Sequence, residues 1–150
     1  MGRNELKPIR FSVPGVPMGK ARPRFCWPSH GRMWVRTPAA TKSKEQQVGW
    51  EAKRAMSGRP MLDEAVRVEI IALFAPPASW PKWKKAEALA GKREHTAKPD
   101  IDNIAKLVCD GLNGIAWTDD AHVVALEVKK QFCEHDPRMV VTITPMQGRK

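Results

Sequence analysis

Three observations predict an α+β domain, a small mixed β-sheet flanked by helices. Residues Val66 to Phe74 alternate at first and then run continuously apolar, the pattern of a central strand. Ile104, Leu107, Val108 and Leu112 recur at helical spacing. Strand-like alternation returns at Val123–Val128 and Met139–Ile143. A chain of 150 residues is long enough to bury a working core as one domain, 1–150.

Taken in order, Ile9 to Val13 read as a short strand that stops at Pro14-Gly15-Val16-Pro17. Gly19 to Lys44 is polar and basic. Lys20, Arg22, Arg24, Arg32, Arg36, Lys42 and Lys44 are interleaved with Phe25, Trp27 and Trp34, and Pro23, Pro28 and Pro38 argue for an extended loop or a loose hairpin through His30-Gly31. Arginines pair with phosphate oxygens and exposed aromatics stack on bases, so residues 15–45 read as a DNA-contact loop. One or two of those aromatics can equally anchor the loop to the core.

Ser43 and Gln46 form a capping-box pattern ahead of Val48, Ala52, Ala55 and Met56, which predicts a helix that Gly58 and Pro60 end. Ala75-Pro76-Pro77 stops the central strand, and Ser79 to Gly91 suits a short helix carrying Trp80 and Trp83, each as able to pack as to stack. Pro99 forces an extended entry to Asp100, Asp102 stands where an N-cap belongs, and Asn113-Gly114 closes a helix over Asn103–Asn113. The last two strands, joined through Glu134-His135-Asp136-Pro137, read as a hairpin. No internal repeat or low-complexity segment is present.

The net charge is +10, and it is segregated. Residues 1–60 carry 13 basic and 3 acidic side chains, whereas residues 61–150 carry 13 of each. A basic arm beside an acidic cluster suits a polyanion that is held and then acted on, though a merely basic soluble protein would look similar on charge alone. Cys26, Cys109 and Cys133 form no CxxC pair, which excludes a disulfide framework or cysteine zinc site and fits a reducing compartment. No apolar run approaches the roughly 20 residues of a membrane span, and no signal-peptide h-region opens the chain. A cytoplasmic, non-membrane protein is the expectation.

The chemistry concentrates in residues 98–120. Asp100 and Asp102 lie one residue apart, and the Asp119-Asp120 pair follows 17 and 18 residues after Asp102. Carboxylates that converge without enough basic partners need a cation among them. Mg²⁺ takes one or two carboxylates and keeps waters that a phosphate can displace. Two ions about 4 Å apart can activate a water and stabilise the leaving oxygen of a phosphodiester. Lys106, one turn beyond Asp102, can neutralise charge on the phosphate or tune the acids. The plainer readings stay open: Asp102 as a helix cap, Asp119-Asp120 as a turn, and Asp110 as the i,i+4 partner of Lys106. His95 and His122 flank the region, and lone histidines are more often surface residues than ligands.

Lys98-Pro99-Asp100-Ile101-Asp102-Asn103, Lys106, Asp110 to Gly114 and Trp117 to Val124 resemble the signature of RusA-type Holliday-junction resolvases. Gly19 to Phe25 with Thr37-Pro38 is similar to the N-terminal block of phage and prophage members. The likeness runs from about Ile9 to the last strand. It implies a homodimer, bacterial or phage-encoded, that uses Mg²⁺ or Mn²⁺ to cut four-way DNA junctions symmetrically. It also implies metal-binding carboxylates at Asp100, Asp102 and Asp120 and an essential Lys106. Asp119 occupies a neighbouring acidic position, and His122 stands where a glutamine is common. Lys20, Arg22, Arg24, Arg36 and Lys98 are the expected DNA contacts. The chain is longer than compact bacterial members in the 15–45 and 75–97 loops.

Two readings compete. A structure-selective endonuclease accounts for the acids, the basic arm and the resemblance together. A non-catalytic branched-DNA-binding protein would use the acids structurally. A nucleotide-sugar transferase using Asp-x-Asp needs a longer chain and has no use for a basic aromatic loop.

Overall fold

The computed structural model describes residues 7–21, 24–26, 34–36 and 39–146. In chain order its elements are β1 (Ile9–Pro14), β2 (Arg24–Cys26), β3 (Trp34–Arg36), α1 (Ala39–Met56), β4 (Val66–Phe74), α2 (Lys82–Leu89), α3 (Ile101–Leu112), β5 (Val123–Phe132) and β6 (Arg138–Pro145). Four strands form one mixed sheet in the order β1-β6-β4-β5. β4 runs parallel to β5 and antiparallel to β6, and β6 runs antiparallel to β1. The expected α+β architecture is present, with β4 interior as its apolar run requires. No helix among the described residues is long and apolar enough to cross a membrane.

One expectation fails here. The last two strands are not hairpin partners, because β4 lies between them. Alternation reveals which face a strand buries but not which strand lies beside it. β4 offers backbone groups on both edges, and leaving either edge unpaired inside the sheet would strand them. The five residues between β5 and β6 step over the end of β4, a span of about 10 Å, and Cys133 N–H donates to Phe74 O at 2.8 Å. The chain from β4 to β5 is instead a crossover that contains α2 and α3, as parallel neighbours demand.

A second expectation fails at the start of α1. The helix begins at Ala39, so Ser43 sits inside it rather than capping it. Its buried stripe starts at Thr41 and Lys44 and continues through Val48, Ala52 and Met56. Lys44, assigned to the basic loop by sequence, is only 8% exposed. Its ammonium donates to Pro14 O at 2.8 Å, tying the end of β1 to α1, and burial lowers its pKa from the usual lysine value. The basic loop is shorter than expected by those residues. Within it β2 pairs with β3, Arg24 opposite Arg36. The tip at His30-Gly31 lies outside the described residues.

α1 and α3 cross closely, and glycines allow it. A Cβ on Gly111 would lie 2.8 Å from Glu45 O and 2.9 Å from Val48 Cβ, while one on Gly49 would meet the flexible end of Ile115. α3 is 12 residues long, marginal as an isolated helix. What holds it is burial of Ile104, Leu107, Val108 and Leu112, all fully buried, each contributing about 1.5–3 kcal/mol. Packing, rather than helix propensity, therefore decides where its opposite face points.

Gly111→Ala gains helix propensity yet must push α1 away. The expected net loss is about 1–3 kcal/mol in thermal or urea unfolding. A stabilised Gly111→Ala protein would show that the crossing is looser than described.

Candidate active site

α3 is entered through an extended segment. Asp100 occupies the N-cap position at φ −74° and ψ 149°, and its side chain makes no capping bond. This corrects the assignment of Asp102 as the cap: Asp102 lies in the first turn. Two aspartates one residue apart are equally good caps by type, and the extended conformation imposed around Pro99 ends at Asp100, two residues earlier than the sequence pattern indicates. The Asp100 carboxylate is held instead by Lys98, whose Nζ lies 3.0 Å from both oxygens. Asp102 is exposed and, among the described residues, has no hydrogen bond or ion pair to its carboxylate. The positive end of the helix dipole favours its charge there.

Further along the same face, Lys106 Nζ lies 3.3 Å from Asp110. Lys20 approaches Asp110 from the N-terminal loop at 3.0 Å and is also bonded to Glu45 of α1. Its backbone N–H donates to Asn103 O at 2.8 Å. A Cβ on the preceding Gly19 would fall 2.8 Å from Asn103 Cβ, so only glycine lets the loop lie this close to α3. Burial alone would lower the Lys20 pKa, but the Glu45 and Asp110 carboxylates outweigh it and raise it. Lys20, expected to face DNA, is engaged by protein carboxylates. Of the other expected contacts, Lys98 is exposed beside Asp100. Arg22 and the side chains of Arg24 and Arg36 lie outside the described residues.

The second acidic pair divides its work. Asp119 caps a 3₁₀ turn over Asp120–His122 by accepting from Ala121 N–H at 3.1 Å. Asp120 accepts from Trp117 Nε1 at 2.9 Å. Trp117 is fully buried, and its backbone carbonyl takes the Gly114 N–H at 2.7 Å. A rigid indole therefore fixes one carboxylate oxygen of Asp120 and leaves the other open. The His122 ring lies 3.3 Å from Glu64 O and 3.4 Å from Thr118 Oγ1. Because a carbonyl only accepts, Nδ1 carries the proton and Nε2 accepts from the threonine.

These acids lie along α3 and beside it. Asp102 and Asp110 are about 12 Å apart along the helix axis. The charges of Asp120 and Asp110 both act on Cys109, which places them toward the far half of the helix. Among the described residues no group of three or more His, Cys, Asp or Glu side chains is close enough to hold a metal ion. The donor chemistry still fits a hard divalent cation. Asp102 is unpaired and Asp120 keeps one oxygen free, and Mg²⁺ is satisfied by one or two carboxylates with several waters.

Sequence reasoning overlooked Glu45 and Lys130. Glu45 gives no local signal, because its partner Lys20 is 25 residues away. Lys130 did leave one, since it shares the core-side alternation of β5 with Val128 and Phe132. Its Nζ donates to Ala97 O at 2.8 Å and Pro99 O at 3.1 Å, anchoring the segment that delivers Asp100.

A family model described as "Endodeoxyribonuclease RusA" matches residues 14–144 of the chain. A Bacillus subtilis (strain 168) protein described as "Uncharacterized protein YqaN" is 34% identical over 140 residues, covering 90% of this chain and 94% of that protein.

Cys109 reports on this arrangement. Burial first, then the Asp120 and Asp110 charges, raise its pKa to about 11. In a protein lacking Cys26 and Cys133, labelling by a thiolate-seeking reagent should be slow at pH 8 and accelerate as pH approaches 11. Asp120→Asn should speed labelling at fixed pH, because a repelling charge is gone. No change in the Asp120→Asn protein would mean that Asp120 does not face Cys109.

Proposed function

The chain belongs to the RusA endodeoxyribonuclease family, and we propose that it resolves four-way DNA junctions by divalent-metal-dependent, paired symmetric cleavage of phosphodiester bonds. The observation that carries this reading is the exposed face of α3. It presents an unpaired Asp102 in its first turn, after Asp100, on a helix fixed by the core, and buried Trp117 holds the Asp120 carboxylate in one orientation.

Asp100, Asp102 and Asp120 are the residues that would hold Mg²⁺, with Mn²⁺ as a substitute. Bound there, the ion would supply a Lewis acid for the phosphodiester and a more acidic water. The protein's own groups do the rest. Trp117 restricts Asp120 to one orientation, as outer-shell hydrogen bonds do for ligating carboxylates generally. Lys98, paired with Asp100 at an exposed position, can exchange that carboxylate for a backbone phosphate as DNA arrives. Lys106, whose partner Asp110 is shared with Lys20, places a positive charge where the phosphodiester would gain negative charge. Asp119 supports the turn that carries Asp120.

A homodimer is part of the proposal. Symmetric cuts across a four-way junction require two equivalent sites, and a two-fold dimer supplies them. The basic half of the chain, including the β2–β3 ribbon, would hold the DNA through its phosphates. The cytoplasm, where such junctions arise, is the expected compartment.

The test is incubation with an end-labelled synthetic junction, with Mg²⁺ and with EDTA. Paired nicks should need the metal, and Asp102→Asn should abolish them while binding in EDTA stays within about twofold of wild type. Binding without nicks under Mg²⁺ or Mn²⁺ would leave a non-catalytic branched-DNA-binding protein. Trp117→Phe keeps the ring but loses the indole N–H, and should slow cleavage by about 10–100-fold with little change in junction affinity. Cleavage at the wild-type rate by that variant would remove Trp117 from this role.

A further inference from the structure

A cleft of about 210 Å³ opens where the parallel strands β4 and β5 end. Its floor is Phe74 and Phe132, the last residues of the two strands and partners in register. His95 stacks on Phe74 with ring centroids 3.9 Å apart and planes 19° from parallel, and it lies 5.4 Å from Phe132 at a tilted angle. Trp80 closes the far side, 5.7 Å from Phe132. None of these residues belongs to the acidic site. Yet Ala97, on the cleft's rim, is three residues from Asp100, at most about 10 Å of chain.

Two features are unusual for a packed aromatic cluster. The Nδ1 atom of His95 is buried without a hydrogen-bond partner among the described residues, an unsatisfied polar atom within the aromatic cluster. Glu94 lines the cleft, and cations lie next to it. Lys84 Nζ lies 4.3 Å over the Trp80 ring, Lys130 Nζ bonds Ala97 O, and residues 82–98 contain six basic and two acidic side chains. Aromatic walls with basic side chains nearby match the combination that takes bases from single-stranded DNA. The volume is below that of pockets for drug-sized ligands, so it suits one ring system rather than two.

We propose that this cleft is a nucleobase-binding subsite, which takes one unstacked base of the DNA strand whose neighbouring phosphodiester lies at Asp100 and Asp102. The subsite rests on the nuclease reading for its DNA partner, but base capture needs no metal and no cleavage. Drawing a base out of the stack costs least where the duplex is already interrupted. The cleft would therefore favour branch points over uninterrupted duplex. Burial, and then the charge of Lys130, lower the His95 pKa, so a neutral imidazole faces the base at pH 7.

The experiment measures binding of the full chain, in EDTA, to four-way junctions carrying a single abasic residue at each position flanking the branch. One position should weaken wild-type binding about 10-fold. Trp80→Leu should lose a similar factor on the intact junction and should no longer distinguish the abasic one. If no abasic position weakens wild-type binding, the subsite is wrong, whatever the variant does. Wild-type affinity and wild-type abasic sensitivity in a folded Trp80→Leu protein would also overturn it. The nuclease reading stands or falls separately, on nicks under Mg²⁺.

Discussion

The contact between α1 and α3 at Gly111 governs the layout of the molecule. Without a side chain at that position, the backbone of α3 can lie against Glu45 O and Val48. That closeness lets Ile104, Leu107, Val108 and Leu112 reach full burial together. Once this stripe is committed inward, the remaining face of α3 has no freedom. Asp102, Lys106 and Asp110 must look outward in a row, and the loops that serve the site must come to them. The position of the acids is thus a by-product of apolar packing rather than of attractions among the acids themselves.

Ammonium groups then act as ties between parts distant in sequence. Lys20 joins the N-terminal loop to α3 and α1, Lys44 joins α1 to β1, and Lys130 joins β5 to the entry of α3. Each is wholly or partly withdrawn from water and keeps its hydrogen bonds by capturing carbonyls or carboxylates. Removing the acceptors would be costly, since a buried charge without partners is strongly unfavourable. Trp117 serves a comparable purpose without charge, holding its own loop and Asp120 through opposite ends of one residue.

Much of this was legible in the sequence. β4 was readable because nine residues of strand pattern end sharply at two prolines, and the apolar stripe of α3 because its spacing admits only one helical face. The acidic residues were identifiable by type and spacing. What stayed hidden was relational. Alternation in β5 and β6 could not disclose that β4 separates them. Ser43 and Gln46 looked like a cap because a capping box is a local pattern, whereas the start of α1 follows a buried stripe that continues to Thr41. Lys44 and Lys20 read as surface charges because nothing in their neighbourhood announces Pro14 O, Glu45 or Asp110 as partners. Asp100 took the place of Asp102 as cap, a shift of two residues and within the usual uncertainty at helix ends.

The internal ties of the lysines bear on how ionic strength acts on the protein. A net charge of +10 suggests a steep loss of DNA affinity with added salt, each phosphate contact releasing condensed counterions. But an ammonium already bonded to protein oxygens displaces no counterion from DNA. Lys20 and Lys44 belong to the basic half of the chain and are spent on its own architecture. The polyelectrolyte character of this chain is therefore smaller than its formal charge, and among the described residues it includes the lysines around α2. Discrimination between DNA shapes would consequently survive at salt concentrations that erase nonspecific attraction.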